Sequence, residues 1–183
     1  VEEVIQREEK GIPGYGIRDP RSVKPVKISD ITFSHEARIN TYDQELNRVL
    51  GGGLVPGSLT LIGGEPGIGK STLMLQVALK CSDQKVLYVT GEESDQQIRM
   101  RAERLGIRNE NCYILTETNT QAIYQHLELL KPGIIIADSI QTLQTDLIES
   151  SAGSVSQLKE CAAEMQKYSK LTSTPVFLIG HIT

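Results

Sequence analysis

Five short apolar runs recur along the chain: SLTLI (58–62), KVLYVT (85–90), CYIL (112–115), GIIIA (133–137) and PVFLI (175–179). Each is rich in Val, Ile, Leu or Tyr and bounded by turn residues, as strands are. The segments between them change period. STLMLQVALKC (71–81), DQQIRMRAERLG (95–106), TQAIYQHLELLK (120–131) and SVSQLKECAAEMQKYSK (154–170) read as helices. In the last, Val155, Leu158, Ala162, Met165 and Tyr168 recur at helical spacing. The strand runs lack the polar alternation of a sheet with one wet face. They predict an α/β fold with a mostly parallel central sheet and helices on both faces.

The chain before Ser58 is less regular. Residues 1 to about 30 are polar and interrupted by Pro13, Pro20 and Pro25, the pattern of a linker or extended arm. KISDITF (27–33) reads as an edge strand. Thr41 and Gln44 have the spacing of a capping box and Gly51-Gly52-Gly53 follow ELNRVL, so a short helix is expected near 42–50.

Composition narrows the class without naming it. The chain of 183 residues suits one domain with a tail, and 39% hydrophobic residues can build a core. With no Trp, two Phe and six Tyr, that core must be aliphatic. A net charge of −4 argues against a broad polyanion-binding face. Cys81, Cys112 and Cys161 lie far apart with no C-x-x-C, which points away from a zinc site or a disulfide framework. Neither a signal peptide nor a membrane span is visible, and the expectation is a cytoplasmic protein with no membrane partner.

One stretch carries explicit chemistry. Gly64-Glu65-Pro66-Gly67-Ile68-Gly69-Lys70-Ser71 matches G-x-x-x-x-G-K-[ST] at every fixed position, between a predicted strand and a predicted helix. Glycines let the backbone wrap a phosphate with its N–H groups turned inward, and the following helix adds its N-terminal dipole. Gly64 through Thr72 are the expected nucleotide-binding residues. Lys70 should reach the β- and γ-phosphates of ATP and Ser71 should ligate Mg²⁺. GIIIADS supplies the second element: an apolar strand ending in Asp138, expected to hold Mg²⁺ through a water.

Two further positions fall at the same expected sheet edge. KVLYVT runs into Gly91-Glu92-Glu93-Ser94, and a carboxylate there can take a proton from a water attacking the γ-phosphate. The residues alone do not choose between Glu92 and Glu93. His181, in FLIGHIT, leaves the fifth strand at that edge; it could sense a γ-phosphate or be incidental.

Taken in order, LNRVLGGGLVPGSLTLIGGEPGIGKSTL, YVTGEES, RAERLG, ADSIQT, GSVSQ and FLIGHIT resemble the ATPase core of the bacterial RadA/Sms family of DNA-recombination and repair proteins, from about Arg38 onward. The resemblance implies a RecA-like P-loop ATPase that forms DnaB-like homo-hexameric rings. It also implies action on single-stranded and branched DNA beside a RecA-type recombinase. Glu92 then resembles the catalytic glutamate, Glu93 the second acid of the related KaiC proteins, and His181 a γ-phosphate sensor at the start of a second DNA-binding loop. The first such loop corresponds to 140–157. The family's four-cysteine zinc ribbon, its K-N-R-F-G motif and its Lon-protease-like domain have no counterpart here. The expectation is therefore an arm over 1–37 and an ATPase core over 38–183, truncated before the second DNA loop, with zinc confined to the missing ribbon.

Rival readings remain. A GTPase switch is disfavoured because SIQ, not x-x-G, follows Asp138 and no N-K-x-D occurs. A KaiC-like signalling ATPase shares most motifs. A P-loop small-molecule kinase would need an Arg-rich lid, and the cluster Arg99, Arg101 and Arg104 reads as a solvated helix face. Topology separates the kinase. A RecA-like sheet inserts 175–180 between 58–62 and 133–138, whereas a kinase sets the latter two side by side.

Overall fold

In a computed structural model the described residues are 25–32 and 37–181. The chain divides into two units, Val1–His35 and Glu36–Thr183. The first contributes only 25–32, where KISDIT forms a 3-10 turn at Ile28–Asp30 rather than an edge strand. Ile28 and Ile31 are both exposed, so the apolar alternation there has no sheet partner among the described residues. Phe33 and the arm over 1–24 lie outside those residues.

The second unit opens with α1 (Gln44–Val49), and its start differs from the expected capping box. Asp43, not Thr41, is the N-cap, accepting from the Leu46 N–H. Tyr42 has a φ of 56°, which swings the chain so that Asp43 faces the helix start. Thr41 turns inward instead, its hydroxyl donating to Asn47 Oδ1 at 2.8 Å. The glycine stop holds. Gly51 N–H donates to Arg48 O and Gly52 N–H to Asn47 O, which pairs the last carbonyls of α1 in a Schellman turn. Gly53 is required by contact as well: a Cβ there would lie 2.5 Å from the Ile39 carbonyl oxygen.

The five runs become β1 (Leu59–Gly64), β2 (Val86–Thr90), β3 (Cys112–Thr116), β4 (Ile134–Asp138) and β5 (Val176–His181). The helical segments become α2 (Lys70–Lys80), α3 (Asp95–Leu105), α4 (Thr120–Leu130) and α5 (Val155–Thr172). All strand pairs are parallel, in the order β1-β5-β4-β2-β3. β5 therefore lies between the phosphate-loop strand and the Asp138 strand, the RecA-like arrangement, and the kinase topology does not occur.

Burial follows that order. β2 and β4 are buried at every position and β5 at all but His181. The edge strands depart from the expectation of a sheet covered throughout. β1 leaves Leu61 61% exposed and β3 leaves Tyr113 39% exposed. Apolar composition alone does not mark an edge, since β1 is as aliphatic as the strands it borders. On one face α2 packs with Met74, Leu75, Val77 and Ala78 against Tyr88, Ile134, Ile136, Phe177 and Ile179.

Candidate nucleotide site

Strand register sets the site. Gly64 is level with His181, Ile179 with Asp138, and Asp138 with Thr90. The phosphate-loop residues, His181, Asp138 and the Glu92–Glu93 turn thus emerge at one edge of the sheet, at the C-terminal ends of its strands, where open α/β sheets bind ligands.

The loop 65–69 is exposed and ends in Gly69, the N-cap of α2, in the left-handed region at φ 97°. Gly67 has φ 80°, and a Cβ on either glycine would meet nothing within 4 Å. No side chain caps α2 and no acid occupies its first turn, so its first N–H groups and positive dipole end face that open space. Lys70 is 7% exposed. Its Nζ donates to Gly64 O at 2.8 Å and Glu65 O at 2.7 Å, which leaves one of an ammonium's three donors for an anion.

Asp138 is buried at the end of β4. Its Oδ2 accepts the Tyr88 hydroxyl at 2.5 Å, while Oδ1 is buried with no partner among the described residues. A buried carboxylate oxygen without a donor is costly unless a cation or its water completes it. An anion cradle, a lysine and a half-satisfied aspartate together fit a Mg²⁺-bound polyphosphate.

The two glutamates have different surroundings. Glu92 Oε1 accepts the Ser139 hydroxyl at 2.6 Å and lies 3.4 Å from His181 Nε2. Glu93 Oε1 is 2.8 Å from Arg101 Nη2, an ion pair out of line for a hydrogen bond. Both acids line an open cleft of about 410 Å³ with Thr116–Thr118. The adjacent Ser94 caps α3 through a capping box with Gln97, so the acidic turn is anchored on its far side.

Arg101 corrects the expectation of a solvated basic face. Its side chain is 16% exposed and faces Glu93, although Arg99, two residues earlier, is 74% exposed in a surface pair with Glu103. The helical period marked the face, but the partner is eight residues back, outside the helix. Four contributing residues had escaped the sequence reading: Tyr88, Ser139, Gln141 and Arg101. Gln141 Nε2 donates to the His181 carbonyl at 3.1 Å, tying the segment after Asp138 to the end of β5. Tyr88 had a signal, because a phenol inside a fully buried strand must find an acceptor.

The segment after β4 is held from beneath. Gln157, on α5, is 2% exposed. Its Oε1 accepts the Thr145 N–H at 2.8 Å, and its Nε2 reaches the carbonyls of Thr145 at 3.1 Å, Ile148 at 3.4 Å and Ser150 at 3.1 Å. Farther along α5, Glu164 accepts from Thr120 Oγ1 at 3.3 Å. Burial raises the Glu164 pKa, and the Thr145 and Thr120 hydroxyls offset part of that rise.

A RecA-like sheet with a phosphate loop and a strand-end aspartate defines a P-loop ATPase class. The chain belongs to the AAA domain family, whose pattern matches residues 22–183. Among its relatives are DNA repair protein RadA of Halalkalibacterium halodurans, 44% identical over 185 residues, and of Bacillus subtilis, 49% identical over 162 residues. The alignments cover 100% and 87% of this chain but 40% and 35% of those proteins. The chain thus spans well under half the length of these curated relatives. They bear out the resemblance read from the motifs. Among solved structures, an ATPase domain determined on its own matches with a TM-score of 0.66 over 81% of this chain and 65% of that one, at 16% identity. A DnaB-like replicative helicase, described with its interactions with primase, matches with a TM-score of 0.67 over 82% of this chain and 44% of its own, at 16% identity. At that identity the likeness speaks for the fold. Among the described residues no helix is long and apolar enough to cross a membrane.

Proposed function

We propose that this chain is the ATP-binding and hydrolysing core of a RadA-like DNA-repair motor. The observation that carries the reading is the single sheet edge shared by the Gly64–Ser71 cradle, Asp138, Glu92 and His181. Residues 64–72 would hold the triphosphate, with Lys70 Nζ on its β- and γ-oxygens. Ser71 and Asp138 Oδ1 would hold Mg²⁺, Asp138 through a water. When bound, the metal neutralises charge on the phosphates during transfer.

Glu92 is the general base of this scheme. Its Oε1 is oriented by the Ser139 hydroxyl, and Oε2 is left to take a proton from the attacking water. Glu93 is committed to Arg101, so its part is to hold α3 against the turn. His181 lies within reach of Glu92, and through its carbonyl and Gln141 it is joined to the segment after Asp138. A γ-phosphate contact at His181 could thereby be felt at 140–157, the proposed first DNA loop. Ring assembly as a homo-hexamer, action on single-stranded or branched DNA and a RecA-type partner belong to the proposal for the whole protein.

The test is binding of a fluorescent ATP analogue to the wild type and to Lys70→Ala. The variant removes the cradle's one ammonium and should bind at least tenfold more weakly. Equal affinities would refute the phosphate-loop assignment.

A further inference from the structure

Tyr88 is fully buried in the middle of β2, within the run VLYVT that is buried at every position. It is level with Ile136, and Thr90 is level with Asp138. Residues two apart on a strand share a face, so Tyr88 and Asp138 are diagonal neighbours on the face that α2 covers. A diagonal spacing of roughly 7–8 Å is within reach of an aromatic side chain. The hydroxyl ends 2.5 Å from Asp138 Oδ2 and 3.4 Å from the carbonyl oxygen of Ser71. It therefore stands between the first turn of α2 and the end of β4, the two elements that carry the proposed metal-side residues.

The two oxygens of Asp138 are thereby made unequal. Oδ2 is held by a buried O–H donor, and Oδ1 is left without a partner among the described residues. A carboxylate free to turn could present either oxygen, or fold one back onto the phosphate-loop backbone. Held at Oδ2, it presents Oδ1 alone. Burial, then the Asp138 charge, raise the Tyr88 pKa, so the phenol stays protonated and acts as a donor throughout the neutral range.

We propose that Tyr88 is a positioning residue for magnesium, fixing Asp138 so that one defined oxygen faces the cation's water shell. The inference rests on the nucleotide reading above and adds to it a residue outside both sequence motifs. An ordinary core tyrosine would affect stability and leave the metal requirement unchanged.

The experiment uses the whole chain and a non-hydrolysable ATP analogue carrying an N-methylanthraniloyl fluorophore, titrated in EDTA and then against Mg²⁺. For Tyr88→Phe, which keeps the ring and loses the donor, metal-free affinity should stay within about twofold of wild type. Half-saturating Mg²⁺ should rise about tenfold, the range expected when one hydrogen bond to a charged group is lost. In an Asp138→Asn background the same substitution should change the Mg²⁺ requirement less than about twofold, because its route of action is gone. Tyr88→Met repeats the measurement should the phenylalanine variant fail to fold. An unchanged Mg²⁺ requirement, or an equal effect with and without Asp138, overturns the proposal. Failure of the wild type to bind the analogue at all would overturn the nucleotide reading, and this inference with it.

Discussion

Truncating Gln157 to Ala removes the one side chain that spans the turn after β4. Thr145 is 3% exposed, so its N–H would lose a 2.8 Å acceptor in a site with little water. A stranded buried donor costs about 1–3 kcal/mol, and each lost bond to the Thr145 and Ser150 carbonyls about 0.5–1.5 kcal/mol. The shorter side chain recovers up to about 2 kcal/mol of rotamer entropy. The net loss is then roughly 2–3 kcal/mol, against a total stability of about 5–15 kcal/mol for a typical domain. Urea unfolding followed by circular dichroism should show the midpoint falling by about 1 M, for a slope of about 2–3 kcal/mol/M. The loss should also be local. Hydrogen exchange at the Thr145 amide should accelerate about 30-fold or more, as expected for a 2 kcal/mol change, while amides in β2 and β4 shift only with global stability. A midpoint within about 0.2 M of wild type, with Thr145 still protected, would show that something other than Gln157 shapes this segment.

The remaining predictions concern chemistry and charge. Glu92→Gln should still bind ATP while turnover in the whole protein falls about 10²-fold or more; a dead Glu93→Gln beside an active Glu92→Gln would reverse the assignment of the base. Glu164 has a raised pKa in the folded state, so it disfavours folding above that pKa, and the penalty fades as pH falls through it. Glu164→Gln should therefore be more stable than wild type at neutral pH and lose the advantage in acid, as thermal melts at two pH values would show; a constant difference would refute the linkage. The segment 140–157 contains Asp146 and Glu149 and no Lys or Arg. With cationic neutralisation dominating DNA affinity, this chain should bind a labelled single-stranded oligonucleotide no tighter than about 10⁻⁴–10⁻⁶ M at physiological salt, and nanomolar binding by anisotropy would refute that.

The strands and helices were legible because burial on both sheet faces leaves apolar runs with no period of two, and the helices between them show a period near 3.6. The phosphate loop was legible because the backbone conformations it needs are open only to glycine. What escaped reading depends on contacts distant in sequence. Arg101 looks like Arg99 in the sequence until Glu93 is brought beside it. Thr41 satisfied the spacing of a cap, yet the left-handed Tyr42 handed that role to Asp43. KISDITF alternates like a strand, but alternation supplies no partner. The choice between Glu92 and Glu93 rests on Ser139 and Arg101, neither of which adjoins them in sequence.

The strand order also governs how the sheet can be assembled. β2, β3 and β4 are neighbours and lie within residues 86–138, so they can pair as soon as that stretch of chain exists. β1 cannot join them. Its one partner among the described strands is β5, whose first residue, Val176, comes long after Gly64 in sequence. During synthesis, therefore, the phosphate-loop strand leaves the ribosome with nothing to pair with, and β4 waits with one edge open. The last strand to emerge fills the gap between them and closes the sheet. Pairings this distant are slow to form because the loop entropy must be overcome first. Until they form, the apolar edges of β1 and β4 are templates for mispairing. A chain released before Val176 would have the phosphate-loop sequence intact and no sheet to hold it.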